Sequence, residues 1–234
     1  MRSERLPGKV LLPILGRPNL ELMIERLRRV PSIDEIVVAT SDDESCNPIV
    51  EVAGRVEVVV YRGSETDVLD RVLSAARQAR ADIIVETTGD CPLIDPETIE
   101  RVIAAFLTND VDYCSNILER TYPRGMDTQV FPLSVLEEVA RSTTDAVDRE
   151  HVSLYICEHP ERFRLMNVVS HLGSEVAQLR LTVDTPEDFD LIRRIYEELY
   201  PRNPTFGLSD ILDLLERRPE LREINRDIEQ KKVR

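Results

Sequence analysis

Ile83-Ile84-Val85-Glu86-Thr87-Thr88-Gly89-Asp90-Cys91-Pro92-Leu93-Ile94-Asp95-Pro96-Glu97 passes from a short β-branched run, through a polar turn, into a helix start. Asp95 followed by Pro96 has the form of an N-cap with proline at the first helical position, so the spacing predicts a strand over 82–86 and a helix over 96–108. The same alternation extends to both sides. Upstream, strands are expected at 36–39 and 56–61 and helices at 18–30, 45–53 and 66–79; downstream, a strand is expected at 111–115. Strand, helix, strand at this spacing implies right-handed crossovers, hence an α/β fold with a mainly parallel sheet. From 118 the pattern changes, because Tyr122-Pro123-Arg124-Gly125 reads as a turn and 118–132 as a hairpin-like excursion. Helices are expected at 133–141 and 148–159, strands at 164–168 and 178–183, another helix from Pro186, and a charged surface helix or frayed tail after Pro219.

At 234 residues, 42% of them apolar and eight of them glycine, the chain reads as one α/β domain spanning 1–234. Its net charge of -14 opposes nucleic acid and anionic lipid as general partners, so a polyanion needs a local basic patch. Residues 1–30 offer one, with Arg2, Arg5, Lys9, Arg17, Arg26, Arg28 and Arg29 against Glu4, Glu21 and Glu25. Of these, Arg26, Arg28 and Arg29 also fit the solvated face of a helix. Cys46, Cys91, Cys114 and Cys157 lie far apart without a CxxC pair, and His151, His159 and His171 lack the spacing of a helical metal pair, so reduced thiols are expected. Without a leader-like segment or a long apolar run, a cytoplasmic protein with no membrane partner is expected.

Ligands of open α/β sheets bind beyond the carboxyl ends of the strands. Two aspartates fall there without a capping role. Asp95 serves the helix after Asp90, and Thr185 with Pro186 and Asp188 makes the helix start after Asp184. Two carboxylates meeting there would repel by about 4 kcal/mol at 4 Å with an effective dielectric near 20, so a cation belongs between them. A hard cation bridged to phosphate oxygens suits such ligands; Mg²⁺ typically takes one or two carboxylates and keeps several waters. The basic run Met1-Arg2-Ser3-Glu4-Arg5-Leu6-Pro7-Gly8-Lys9 supplies the complementary half of a metal-triphosphate site. Acid pair and basic loop together imply phosphoryl or nucleotidyl transfer. A glycosyltransferase using a nucleotide sugar needs similar parts. Cys91 reads as a small packed residue before Pro92.

Six motifs in order resemble the sugar cytidylyltransferases, most closely the spore-coat polysaccharide branch similar to 3-deoxy-manno-octulosonate and acylneuraminate cytidylyltransferases. They are Ser3-Glu4-Arg5-Leu6-Pro7-Gly8-Lys9, Arg62-Gly63-Ser64-Glu65, Thr88 to Asp95, Tyr122-Pro123-Arg124-Gly125-Met126-Asp127, Asp148-Arg149-Glu150-His151-Val152, and Thr182-Val183-Asp184-Thr185-Pro186-Glu187-Asp188. The resemblance implies a three-layer nucleotide-diphospho-sugar transferase-like fold with a dimerisation excursion at 118–170, and a homodimer. It implies a reaction of CTP with a sugar, here an acidic keto-sugar, giving a CMP-sugar and pyrophosphate for surface polysaccharide. Ser3, Arg5 and Lys9 are then expected on the triphosphate, with Asp90 and Asp184 on Mg²⁺. Arg62 and Ser64 become candidate nucleotide contacts, although Ser64 with Asp67 also resembles a helix start. Arg124, Asp127, Arg149 and His151 become candidate sugar contacts across a dimer interface, with surface salt bridging to Asp148 and Glu150 as the alternative for Arg149 and His151. The chain departs from the family twice. A strand ending in Gln-Ala-Arg or Pro-Ala-Arg is expected before the position of Met1, and Glu86 stands where the branch carries Arg. Both departures motivate a second reading as a non-catalytic or nucleotide-binding homologue lacking the first strand, a binding or assembly protein that keeps the fold and dimer surface.

Overall fold

The computed structural model describes residues 5–231. In chain order its elements are β1 (Pro13–Ile14), β2 (Arg17–Pro18), α1 (Asn19–Leu27), β3 (Val37–Ser41), α2 (Asn47–Arg55), β4 (Val59–Gly63), α3 (Val68–Ala79), β5 (Ile83–Glu86) and α4 (Pro96–Thr108). There follow β6 (Tyr113–Ser115), β7 (Gln129–Pro132), α5 (Leu133–Ser142), α6 (Ala146–Glu150), α7 (Leu154–Glu158), β8 (Leu165–Asn167), α8 (Ser174–Ala177), α9 (Pro186–Leu199) and α10 (Leu208–Arg217).

Alternate residues of a strand point to opposite faces, and β5, β6 and β7 sort the core by that rule. Ile84, Tyr113 and Phe131 pack with α3, α5 and α7 through Leu69, Leu73, Leu136, Val139 and Ile156. Val85, Cys114 and Val130 pack on the other side with α1 and α4 through Met23, Leu27, Ile99 and Val102. The result is a sheet between two helical layers. Each fully buried side chain of this kind contributes about 1.5–3 kcal/mol relative to exposure, so a one-residue slip in register would forfeit several at once. A further cluster joins α9 and α10 to Leu93, Met126, Leu181 and Val183 at the end of the sheet that carries Asp90.

The sheet is mixed, which corrects the mainly parallel expectation. β3 and β4 are parallel, as are β6 and β8, but β7 lies between β5 and β6 antiparallel to both. The cause is the connection. A parallel neighbour needs a crossover element, whereas the chain returns from β6 to β7 through the helix-free segment 116–128. That segment is a loop, with only β7 at its end extended, so the expected hairpin over 118–132 does not form. Nor is 178–183 a strand. Its backbone is sewn between loops instead: Leu181 N donates to Arg124 O at 2.8 Å, and Arg124 N donates to Leu179 O at 3.0 Å. The helix expected over 148–159 is broken at His151, where Val152 is buried and the Ser153 hydroxyl donates to Gln129 on β7, drawing the chain toward the sheet.

No backbone ladder joins β3 to β5 among the described residues, so the strands form a parallel pair, β3–β4, and a separate four-stranded group, β5–β7–β6–β8. The apolar run in β3 is correspondingly only half-buried, and Ile83 at the start of β5 is 38% exposed. Helix α1 spans the seam on one face, with Met23 and Leu27 in the core of the four-stranded group and Leu20 and Ile24 in a cluster with Val38, Ile49 and Val52. Helix α3 spans it on the other, touching β3 and β4 while Leu69 and Leu73 pack against Ile84 and Phe131.

Glu86 ends β5 opposite Gln129, whose amide donates to its carboxylate at 3.5 Å and accepts from the Tyr113 hydroxyl at 2.8 Å. Its carboxyl thus turns toward the α7 side. Desolvation pushes its pKa up to about 7. Between the ordinary value near 4.5 and about 7 the folded chain holds a proton that the unfolded chain has lost, so stability falls as pH rises through that window, the full cost being present above it. Glu86→Gln should therefore raise the melting temperature at pH 8 by about 2–6 °C, for a half-buried group worth about 1–2 kcal/mol, and lose that gain below pH 5. Thermal melts at both pH values check this; an equal gain at pH 5 would refute it.

Candidate active site

Local capping leaves two aspartates free. Asp95 Oδ2 accepts from Thr98 N at 2.9 Å to start α4, and its other oxygen accepts from Leu208 N at 3.1 Å to anchor α10. Thr185 and Asp188 form a reciprocal capping box at the start of α9. Asp90 and Asp184 are then joined by backbone chemistry: Val183 N donates to Asp90 O at 2.8 Å, and Thr182 Oγ1 donates to the same oxygen at 3.1 Å. Gly125 lets the loop before β7 lie directly against the backbone that leads to Asp184. At φ +98° it lies where only glycine is unstrained, and a Cβ there would stand 2.4 Å from Leu181 O.

Lys9 holds the two carboxylates together. Its Nζ donates to Asp90 Oδ2 at 2.6 Å and to Asp184 Oδ1 at 2.7 Å. Burial works against the ammonium, but Asp90 and Asp184 outweigh it and hold its pKa above the ordinary lysine value. Asp184 also meets Arg5 Nη2 at 3.2 Å and Arg180 Nη2 at 2.5 Å. Against the opposing effect of burial, Lys9, Arg180 and Arg5 keep its carboxyl below the usual range. Cys91, beside Asp90, has its thiol pushed well up by burial and by the charges of Asp90 and Asp127, so it is no thiolate nucleophile.

This donor set fits a hard divalent ion. Two carboxylate oxygens that share one ammonium lie well within the roughly 10 Å that an ion and its hydration shell span. No group of three or more acidic, histidine or cysteine side chains suited to a metal occurs among the described residues, so an ion held by this pair would have to complete its shell with water and substrate oxygens.

Arg180 is the main residue that the sequence reading passed over. It is 6% exposed and donates through Nε to both oxygens of the fully buried Asp188, at 2.9 and 3.1 Å. Asp188 also accepts from Asp184 N, Thr185 N and Asn225 Nδ2, so its charge is fully compensated. A basic residue four before Asp184 and eight before Asp188, inside a segment of apolar alternation, was the available signal.

The other candidates divide. Ser3 lies outside the described residues. Arg5, Lys9, Asp90 and Asp184 converge. Arg62, at the end of β4, donates to the carbonyls of Ser41, Asp42 and Asp43 and to Asn47 Oδ1, while Ser64 Oγ accepts from Asp67 N, so both side chains hold local turns. Arg124 lines a cavity of about 840 Å³ with Arg120, His171, Gln178 and Gln230. Asp127 forms a two-pronged ion pair with Arg120, at 2.7 and 2.9 Å. Arg149 is bound to Asp67, the cap of α3, at 2.6 Å and to the carbonyls of Ala140 and Thr143. His151 is exposed at the end of α6.

A sheet between helical layers is the fold that this chain shares with solved cytidylyltransferases. The chain belongs to the cytidylyltransferase family, whose model matches residues 1–229. It is 33% identical to the spore coat polysaccharide biosynthesis protein SpsF of Bacillus subtilis, over 94% of this chain and 92% of that protein. It is 35% identical to an uncharacterised protein of Methanocaldococcus jannaschii, over 99% of this chain and 93% of that one. A solved cytidylyltransferase from Leptospira borgpetersenii superposes with a TM-score of 0.90 at 31% identity, covering 99% of this chain and 95% of the other. Membership decides between nucleotidyl transfer and the glycosyltransferase reading in favour of the former. No helix of the described residues is long and apolar enough to cross a membrane.

Proposed function

We propose that the chain transfers CMP from CTP to a hydroxyl of an acidic keto-sugar, releasing pyrophosphate, in the cytoplasmic stage of surface-polysaccharide synthesis. The observation that carries this reading is the Lys9 ammonium seated between Asp90 and Asp184 at the strand ends. The sugar oxygen attacks the α-phosphorus in line; an oxygen–phosphorus bond forms there as the bond to the bridging oxygen of pyrophosphate breaks. Lys9 and Arg5, with Ser3 earlier in the same segment, take the triphosphate and neutralise the leaving pyrophosphate. Asp90 and Asp184 are the residues that would hold Mg²⁺, which when bound supplies charge neutralisation on the transferred and departing phosphates. The side chains of Arg62 and Ser64 are committed to their own turns, so nucleotide contact from that loop falls to its backbone.

The cavity beside Arg124 suits the acceptor. Among the described residues Arg124 has no ion-pair partner, whereas Arg120 is paired with Asp127 and Glu119 shares the lining, so Arg124 is the cation we assign to the acceptor's carboxylate. The segment 118–170 carries the proposed homodimer contact. There β8 is an edge strand, and Leu118 and Val169 beside it are 39% and 45% exposed. Arg149 and His151 are assigned to the acceptor side across that contact. With CTP, Mg²⁺ and a panel of sugar acids the protein should release pyrophosphate, faster with CTP than with UTP. Silence with every sugar and every nucleotide would end the proposal.

A further inference from the structure

The chain after α10 returns to the active site. Asn225, 5% exposed, donates from Nδ2 to Arg180 O at 2.9 Å and to Asp188 Oδ1 at 2.8 Å. Farther along, Gln230 Oε1 accepts from Arg180 Nη1 at 2.5 Å, and the same residue lines the cavity that holds Arg120 and Arg124. Arg180 therefore has every nitrogen engaged: Nε on Asp188, Nη2 on Asp184 and Nη1 on Gln230. A guanidinium is a rigid planar fork, so fixing two of its nitrogens fixes the direction of the third.

We infer that Gln230 is a positioning and specificity residue of the transfer site: by holding Arg180 it orients the Asp184 carboxylate, and with the same side chain it walls the acceptor cavity. The inference rests on the transferase reading above. The amide suits both tasks. It gives Arg180 an acceptor oxygen and adds no negative charge to the cavity wall, where Arg124 faces an anionic acceptor. The C-terminal segment, read from sequence as a surface helix or frayed tail, thereby reaches both Arg180 and the cavity.

Two substitutions in the full chain test this, Gln230→Ala and Gln230→Glu, each with Mn²⁺ affinity in the presence of CTP and steady-state kinetics on a sugar acid that the wild type accepts. Gln230→Ala should weaken Mn²⁺ about tenfold, as loss of a group that orients a metal ligand does, with the KM for CTP within about twofold. Gln230→Glu keeps an acceptor oxygen for Arg180, so Mn²⁺ affinity should return to within about threefold of wild type, while the KM for the sugar acid rises by at least about tenfold from the added like charge. A merely structural residue would lower the melting temperature and disturb both substrates alike. Unchanged Mn²⁺ affinity in Gln230→Ala, no recovery in Gln230→Glu, or no Mn²⁺ binding by the wild type with CTP overturns the inference. A wild type that binds Mn²⁺ with CTP but releases no pyrophosphate overturns the transferase reading instead, and the Mn²⁺ comparison still decides the role of Gln230.

Discussion

Asp184→Asn is expected to lower kcat for pyrophosphate release by about 10²–10⁴-fold, or about 3–5 kcal/mol of transition-state stabilisation, with a smaller change in the KM for CTP. The substitution keeps the shape of the side chain and removes its charge at the point where Lys9, Arg180 and Arg5 converge. The fold should survive, because Arg180 retains Asp188 and the capping box of α9 does not use the Asp184 side chain. What is lost is one of the two carboxylates assigned to the divalent ion, together with the balance that keeps three cations in one place. Steady-state kinetics beside a thermal melt separates these effects. A variant within tenfold of wild-type kcat would remove Asp184 from the reaction.

Lys9→Met should act in two opposite directions. Turnover is expected to fall about 10²–10³-fold, since the ammonium assigned to the triphosphate is gone. Mn²⁺ affinity without nucleotide should instead rise by at least about tenfold. The reason is competition: Lys9 Nζ, 2.6 and 2.7 Å from the two carboxylates, occupies the position a divalent ion needs, and a unit charge at 4 Å is worth about 4 kcal/mol at an effective dielectric near 20. In the wild type the phosphates of CTP would draw Lys9 away, so metal and nucleotide would enter together. Unfolding cannot produce a gain in metal affinity alongside a loss of rate. Mn²⁺ titration of the nucleotide-free variant decides the matter, and an affinity equal to or below that of wild type would contradict it.

The parts of the site legible in the sequence are those with local grammar. Asp95 and Thr185 announce themselves as caps within four residues, which is why Asp90 and Asp184 could be singled out by elimination. Arg5 and Lys9 stand out as clustered charge beside a turn. The alternation that builds the helical layers is equally local, and most elements between 36 and 115 lie within a few residues of their expected places. What the sequence hides is partnership at a distance. Arg149 shows itself as a cation, but nothing near it points to Asp67, 82 positions away. Arg180 looks like an outward-facing basic residue of a strand until Asp188 and Gln230 are brought around it. The antiparallel course of β7 depends on where the helix-free 116–128 loop lets the chain turn, which the alternation within β7 does not encode.

Lys9 Nζ joins three stretches of chain that lie far apart in sequence: its own turn, Lys9–Leu11, which packs with α1 and α2; the loop after β5 that carries Asp90; and the lead into α9 that carries Asp184. Two ionic contacts of 2.6 and 2.7 Å at one ammonium act as a clasp, so removing either acid should loosen that turn against the strand ends as well as change the charge of the site.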